Sequence, residues 1–317
     1  MIKVYFSDFK NFGDALNRHL IERLTGDVVQ HSSYSRAELM GAGSIFYGGG
    51  FFWGDKGRLL SRNRMRYYWR KIRDSFNPEL DVWGSGVLFD LPISGECVHY
   101  RTMNIHAVRG RETVRILKRA GFLNDGSMPA LGDPGLLYPH LIKGVSCVEK
   151  LYDLAIVPHY LDYKVGVELG EFLLSKGINV KVVDVMQPDP LNVIREIVFS
   201  RKVASASLHG LIVADSMNIP NRHLVLSDYE VDRYHGQGAF MLKFKDYYSA
   251  LGMDPRPYMS ANDFKSNAKK SIASIEGPSA DVKTINKVKM SLLNAFPKKF
   301  MGRGYSEMYN EIKDNET

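Results

Sequence analysis

Three short stretches carry side chains able to move a proton or hold an anion. In Ser205-Ala206-Ser207-Leu208-His209-Gly210 a strand ends, a helix begins, and an imidazole stands at the junction. A helix start offers unpaired N–H groups and a positive dipole end, which together make an anion site. A histidine there can touch a phosphate or deliver a proton. The same spelling also fits a capping serine beside a packed histidine, and both readings stay open. Val108-Arg109-Gly110-Arg111-Glu112-Thr113 is a second strand-to-helix junction. Its guanidinium is suited to grip carboxylate or phosphate in a fork; the alternative is a solvated arginine beside a helix start that Glu112 favours. The third stretch, Asn11-Phe12-Gly13-Asp14-Ala15-Leu16-Asn17, follows the first strand. Asp14 there is either a general base on a hydroxyl or a plain helix cap.

Other stretches say less. Gly41-Ala42-Gly43-Ser44 and Gly48-Gly49-Gly50 permit close backbone approach, but neither is a dinucleotide fingerprint or a Walker loop. Gly132-Asp133-Pro134-Gly135 reads as a turn. Residues 56–73 alternate Lys and Arg with aromatic and aliphatic side chains. That pattern fits an interfacial helix, a surface for acidic glycan or nucleic acid, or the solvated face of an ordinary helix.

Residues of these types act only if secondary structure brings them together. Short apolar runs alternate with helix-period segments, which is the pattern of α/β architecture. Strands are predicted at 3–6, 27–30, 39–45, 80–83 and 104–108. The first helix carries Leu16, Leu20, Ile21 and Leu24 on one face and ends at Gly26; a second spans 112–120 and ends at Gly121. The pattern then restarts, with strands at 153–157, 178–183, 202–206 and 222–226 and helices at 165–175, 191–199 and 210–217. This second series resembles a doubly wound parallel sheet, whose ligands bind at the carboxyl ends of the strands. The expected organisation is a domain over 1–145, a second over 146–260, and polar C-terminal helices ending in a frayed tail over 261–317.

Bulk properties agree with a two-domain globular protein. The chain has 317 residues, 44% apolar and 24% charged. Its net charge of +7 suits an anionic small molecule, an acidic glycan or an anionic membrane, and does not exclude nucleic acid. The two cysteines, Cys97 and Cys147, form no CxxC pair, and no Cys/His cluster has zinc spacing, so no metal and no cofactor is expected. Met1-Ile2-Lys3-Val4-Tyr5-Phe6 lacks the features of a secretory leader, and no apolar run reaches the ~20 residues of a membrane span. A cytoplasmic protein is expected.

Taken in order, the motifs resemble the polysaccharide pyruvyl transferase family, and within it the succinoglycan-type ketolases. The resemblance is carried by 11–17, Gly41-Ala42-Gly43-Ser44, Trp83-Gly84-Ser85-Gly86, Val108-Arg109-Gly110, Gly132-Asp133-Pro134-Gly135 and Ile156-Val157-Pro158-His159-Tyr160. It is sharpest over 205–214, covers roughly 1–250, and includes 243–248. It implies two Rossmann-like domains facing a central cleft, as in GT-B glycosyltransferases. It implies phosphoenolpyruvate as donor, held by the second domain, and a sugar acceptor toward the first. His209 matches the family's histidine and Arg109 one of its arginines. Where some members carry a second arginine, two residues before the histidine, this chain has Ser207. Lys243 or Lys245 is expected to compensate, with Lys243 preferred.

The chemistry that follows is a pyruvate ketal formed on a sugar of a surface polysaccharide or its precursor. Arg109, with Ser207, Leu208 and Gly210 at the helix start, is expected to hold the donor anions. His209 is expected to act as general acid and Asp14 as base, with Asn17 orienting the acceptor hydroxyl. A lipid-linked oligosaccharide acceptor, met at the inner membrane face through 56–73, is a further expectation, and nucleic acid is not an expected partner. Two other readings compete: a nucleotide-sugar glycosyltransferase of the same architecture, and a non-catalytic protein that binds glycan or nucleic acid.

Overall fold

The computed structural model describes residues 1–8, 11–46, 79–88, 101–145, 148–226 and 239–314. The basic stretch at 56–73, the Gly48-Gly49-Gly50 run and both cysteines lie outside them. Two parallel sheets organise the chain. The first contains β1 (Ile2–Tyr5), β2 (Val29–His31), β3 (Leu39–Met40), β4 (Leu80–Ser85), β5 (Met103–Val108) and β6 (Ala130–Leu131), in the order β2-β1-β3-β4-β5-β6. The second contains β7 (Leu154–Val157), β8 (Val180–Val182), β9 (Val203–Ser205), β10 (Asn221–Val225) and β11 (Met259–Ser260), in the order β11-β10-β9-β7-β8. Every residue of β4 and β7 is buried, as strands covered on both faces require.

Ranked along the chain, the first five strands of each sheet share one spatial order, second-first-third-fourth-fifth. Winding therefore reverses beside the first strand of each sheet, between β1 and β3 and between β7 and β9. Such switch points open a crevice at the carboxyl ends of the strands. The α/β class with two Rossmann-like halves is what the structure shows.

Local chemistry sets the helices that flank these crevices. The first, α1 (Phe12–Thr25), starts at Asn11, whose side chain accepts from the Gly13 N–H, and stops at Gly26 with φ of 74°. In the first half α2 (Arg111–Arg119) follows β5 directly. The second half contains α3 (Tyr163–Ser175), α4 (Pro190–Val198), α5 (Leu208–Ser216), α6 (Ala239–Ala250) and α7 (Ala261–Ala273). Asp189 caps α4 with Pro190 at its first position, and Ser260 with Asp263 forms a capping box on α7. Two more helices follow, α8 (Val282–Asn294) and α9 (Arg303–Asp314).

Two expectations need correction. The strand expected over 39–45 is a strand only at Leu39–Met40, with one isolated bridge from Gly43 to Ser85 beyond it. Beyond it the side-chain amide of Asn17 takes both backbone groups of Ala42, and Gly43 turns the chain at φ of 126°. The helix expected from Gly210 begins two residues earlier, at Leu208, so His209 lies inside its first turn. The C-terminal stretch is helical at 261–273, 282–294 and 303–314. Whereas α7 packs on the second sheet through Phe264, α8 and α9 return to the first half. The Trp83 indole N–H donates to the Leu292 carbonyl at 2.8 Å, and Met308 and Ile312 are buried in one apolar cluster with Leu16 and Leu20 of α1. That cluster also takes in Val157 and Leu211 of the second half.

Burial of α9 makes a stability prediction. Met308→Ala removes a fully buried side chain and should cost about 2–5 kcal/mol. Equilibrium urea unfolding reads it as a lower midpoint; an unchanged midpoint would mean that α9 does not pack.

Candidate functional site

The carboxyl ends of the two sheets line one cavity of about 270 Å³. From the first half come Ser7, Asn11 and Asp14 after β1, Ser44 after β3, and Arg109 after β5. From the second come His159 and Tyr160 after β7, Ser207, Leu208 and His209 after β9, and Lys243 from α6. Of the residues singled out in the sequence, Asp14, Arg109, Ser207, Leu208, His209 and Lys243 thus meet in one place.

Asp14 stands in the first turn of α1, whose Phe12 N–H donates to the Val185 carbonyl of the second half at 2.9 Å. Burial pushes its carboxyl up to about 7. Lys243 pulls the other way, as do hydrogen bonds from Ser7 and from the Asn11 amide, the latter at 3.3 Å. A carboxyl held near neutrality is matched to proton transfer at that pH.

His209 packs edge-on to Phe12 and tilted to Tyr138, with ring centroids 6.1 Å from each. Gly13 and Gly135 close in on it, and a methyl group on Gly13 would overlap the imidazole. Behind the ring lies Asp133, fully buried, with Oδ1 at 3.8 Å from His209 Nε2. That oxygen also accepts from the Gly135 N–H at 2.9 Å, while Asp133 Oδ2 and His209 Nε2 make no hydrogen bond among the described residues. Burial holds the His209 imidazole below its ordinary value; Asp133 opposes this, and Arg109 and Lys243 reinforce it. Asp133 is a site residue that the sequence reading missed. The Gly132-Asp133-Pro134-Gly135 signal was visible but fitted a turn, whereas Asp133 caps a 3-10 helix (Pro134–Leu141) and turns its carboxylate to the histidine.

Arg109 is 1% exposed. Its Nε donates to Asp246 Oδ2 at 3.1 Å, Nη1 to Ser44 Oγ at 2.7 Å, and Nη2 to the Val87 carbonyl at 2.7 Å. It meets the cavity as a fixed plate rather than a mobile arm. Lys243 reaches the same space from the other half, with its ammonium 5.2 Å from the Phe244 ring centre. Lys245 does not: its Nζ is paired with Glu112 at 2.9 Å and the side chain is 59% exposed.

Two further residues are placed differently from expectation. Asn17 does not line the cavity; it is buried, and its amide binds the carbonyls of Gly13, Asp14 and Ala42 and the Ala42 N–H, which leaves it to shape the wall. Gly210 does not line it either. Its N–H already donates to the Ser207 carbonyl at 3.1 Å, and its missing side chain makes room for Ser205. The start of α5 still faces the cavity through Ser207 and Leu208, and Ser207 makes no side-chain cap bond. His159 is a cavity residue that was given no role from the sequence, although it lies in the Ile156-Val157-Pro158-His159-Tyr160 stretch. Its ring lies 4.3 Å from that of Tyr160, and burial followed by Lys243 pushes it down to about 3, so it is uncharged at neutral pH. Among the described residues no group of three or more His, Cys, Asp or Glu is placed to hold a metal ion.

Two α/β halves that meet over a cavity lined by two cations, a carboxyl and an imidazole have the parts of a group-transfer enzyme. Known proteins give that class its family. Residues 11–228 match the polysaccharide pyruvyl transferase family, and the chain belongs to it. Asp14, Arg109, Asp133 and His209 fall within the match; Lys243 falls beyond it. An uncharacterised protein of Acanthamoeba polyphaga mimivirus is 29% identical over 209 residues, which is 61% of this chain and 66%, just under two thirds, of that protein. Among solved structures, the wall teichoic acid polymerase TagF is 11% identical, with 99% of this chain and 89% of that one covered at a TM-score of 0.36. At that score the folds are not equated, and the two-sheet architecture stands on this chain's own strand order.

The imidazole gives a direct test. The His209 ring protons should titrate with a midpoint below 6.5 in an NMR pH series. Asp133→Asn should lower the midpoint further, because the carboxylate opposes the shift; a midpoint unchanged by that substitution would separate the two residues.

Proposed function

We propose that the protein transfers the pyruvyl group of phosphoenolpyruvate to a sugar of a surface polysaccharide or its precursor, forming a ketal and releasing phosphate. The observation that carries this reading is the pairing of two cations, Arg109 and Lys243, with a buried imidazole and a carboxyl near neutrality in one small cavity. A space of about 270 Å³ lies below the roughly 300–1,000 Å³ usual for drug-sized ligands, which suits a three-carbon phosphate.

The donor brings a carboxylate and a phosphate. Arg109, Lys243 and the start of α5 at Ser207 and Leu208 supply the opposite charge and dipole. Lys243 stands in the cavity where the family's second arginine is absent at Ser207. With the donor held, His209 protonates its methylene carbon, and positive charge develops at the carbon bearing phosphate. An acceptor hydroxyl adds there and gives its proton to Asp14. Phosphate then leaves with the proton Asp14 took up, and a second hydroxyl of the same sugar closes the ring and returns its proton to His209. Donor binding favours this step: burial is the main cause that holds His209 down, Arg109 and Lys243 add to it, and the donor's negative charge offsets those two. Asp133 favours the protonated ring.

One observation favours the opposite assignment, with Asp14 as acid and His209 as base. Burial pushes Asp14 up to about 7 and holds His209 below its ordinary value. The pH profile of Asp14→Asn separates the two. Residual kcat/KM that falls as pH rises assigns the acid to His209; residual activity that rises with pH assigns the base to it.

The acceptor's identity and its lipid linkage, a cytoplasmic location, and contact of 56–73 with the inner membrane face belong to the same proposal. No helix among the described residues is long and apolar enough to cross a membrane.

Thermal shift tests the donor. Phosphoenolpyruvate should raise the melting temperature saturably, and a nucleotide sugar should not. Stabilisation by a nucleotide sugar alone would replace this reading with a glycosyltransferase. His209→Gln should keep the fold and lose about 10²–10⁴ in turnover; near-full activity would remove His209 from the reaction.

A further inference from the structure

The helix that carries Lys243 into the cavity also holds the anchor of Arg109. We propose that Asp246 is a positioning residue for the donor cradle, fixing Arg109 of the first half relative to Lys243 of the second across the seam where the halves meet. The inference rests on the reading of the cavity as a donor site.

Asp246 is fully buried and does not line the cavity. Its carboxylate takes three hydrogen bonds, all from the first half. Oδ2 accepts from Arg109 Nε at 3.1 Å and from Thr113 Oγ1 at 2.6 Å, and Oδ1 accepts from the Thr113 N–H at 2.9 Å. One carboxylate thereby caps the start of α2 and grips the guanidinium that precedes it. Residues three apart share a helix face, so Lys243 and Asp246 move as one unit on α6.

The seam is closed on both sides of this contact. Gly110 has no side chain where the Asp246 carbonyl presses against it. One turn on, Ser249 accepts from the Arg111 N–H at 2.8 Å, and Lys245 pairs with Glu112 at 2.9 Å. With Nε on Asp246, Nη1 on Ser44 and Nη2 on Val87, the guanidinium plane is fixed at three points. Two of those points belong to the first half's loops, and the third belongs to the helix bearing the second cation. The spacing of the two cations is thus set by one carboxylate that touches neither the cavity nor its contents.

Calorimetric titration with phosphoenolpyruvate tests this on the whole chain, comparing the unmodified protein, Asp246→Asn, Arg109→Gln and the double variant. Asp246→Asn should weaken donor binding about 10- to 100-fold, the scale of an ångström-sized misplacement. The double variant should bind no more weakly than Arg109→Gln alone, because Asp246 acts through Arg109. Donor binding retained in Asp246→Asn, or losses that multiply in the double variant, overturns the positioning role. Absence of binding by the unmodified protein overturns the donor reading instead, and this proposal with it. Should Asp246→Asn not fold, Thr113→Val removes the hydroxyl's bond to Asp246 and the one it accepts from the Val87 N–H, and keeps the charge pair. It should weaken binding by a smaller factor, and unchanged binding in the folded Thr113→Val protein overturns the proposal.

Discussion

A buried guanidinium has to be paired, and the pairing of Arg109 decides how the two halves of this protein can work together. Arg109 and Asp246 are each 2% exposed or less and stand 137 residues apart in the chain. Removing one partner of such a pair costs about 3–5 kcal/mol, because the other charge is left unpaired. Replacing both with apolar groups is often neutral, so stability alone gives no reason to build the pair. A reason appears in the geometry. Arg109 lines the cavity and Asp246 stands behind it, so the pair ties the first half's cation to the helix that bears the second half's cation.

The cavity's proton chemistry depends on the same charges. Burial holds the imidazole of His209 down, Arg109 and Lys243 reinforce it, and Lys243 opposes the burial that raises Asp14. A negative charge placed beside the two cations would offset their share of the His209 shift and leave the larger share, which is burial. Asp133 contributes by standing behind the ring, where it favours the charged imidazole and does not compete for the substrate's place.

Most of the fold was legible because its elements are locally spelled. Strands such as 154–157 are apolar throughout, and helices end at glycines such as Gly26 and Gly121, both in the left-handed region. The site was legible where motifs sit at strand ends, which is how Asp14, Arg109 and His209 could be named. What stayed hidden was decided by distant partners. Asn17 is one helical turn from Asp14 and looked like its helper, but Ala42 claims its amide. Asp133 fitted a turn, and only the packing of α5 against the 3-10 helix brings the imidazole to its carboxylate. The C-terminal helices read as polar because each buries a narrow stripe, Ile285, Val288 and Leu292 on α8 and Met308 and Ile312 on α9.

The glycines connect these levels. Glycine inside a helix costs roughly 0.5–1 kcal/mol relative to alanine, and Gly13 lies in the first turn of α1. Local propensity argues for alanine there, yet a single methyl group would occupy the space of the His209 ring. The same holds elsewhere around the cavity. A side chain at Gly86 would meet the Arg109 guanidinium, and one at Gly110 would meet Asp246. One at Gly43 would come within 3.3 Å of Asp14 Oδ1. His209, Arg109, Asp246 and Asp14 each lean on a position with no side chain, in each case across the fold rather than along it. Conflict between local preference and global packing marks functional positions. Here the conflict is what lets Asp14, Arg109 and His209 crowd around one cavity with Asp246 packed behind Arg109.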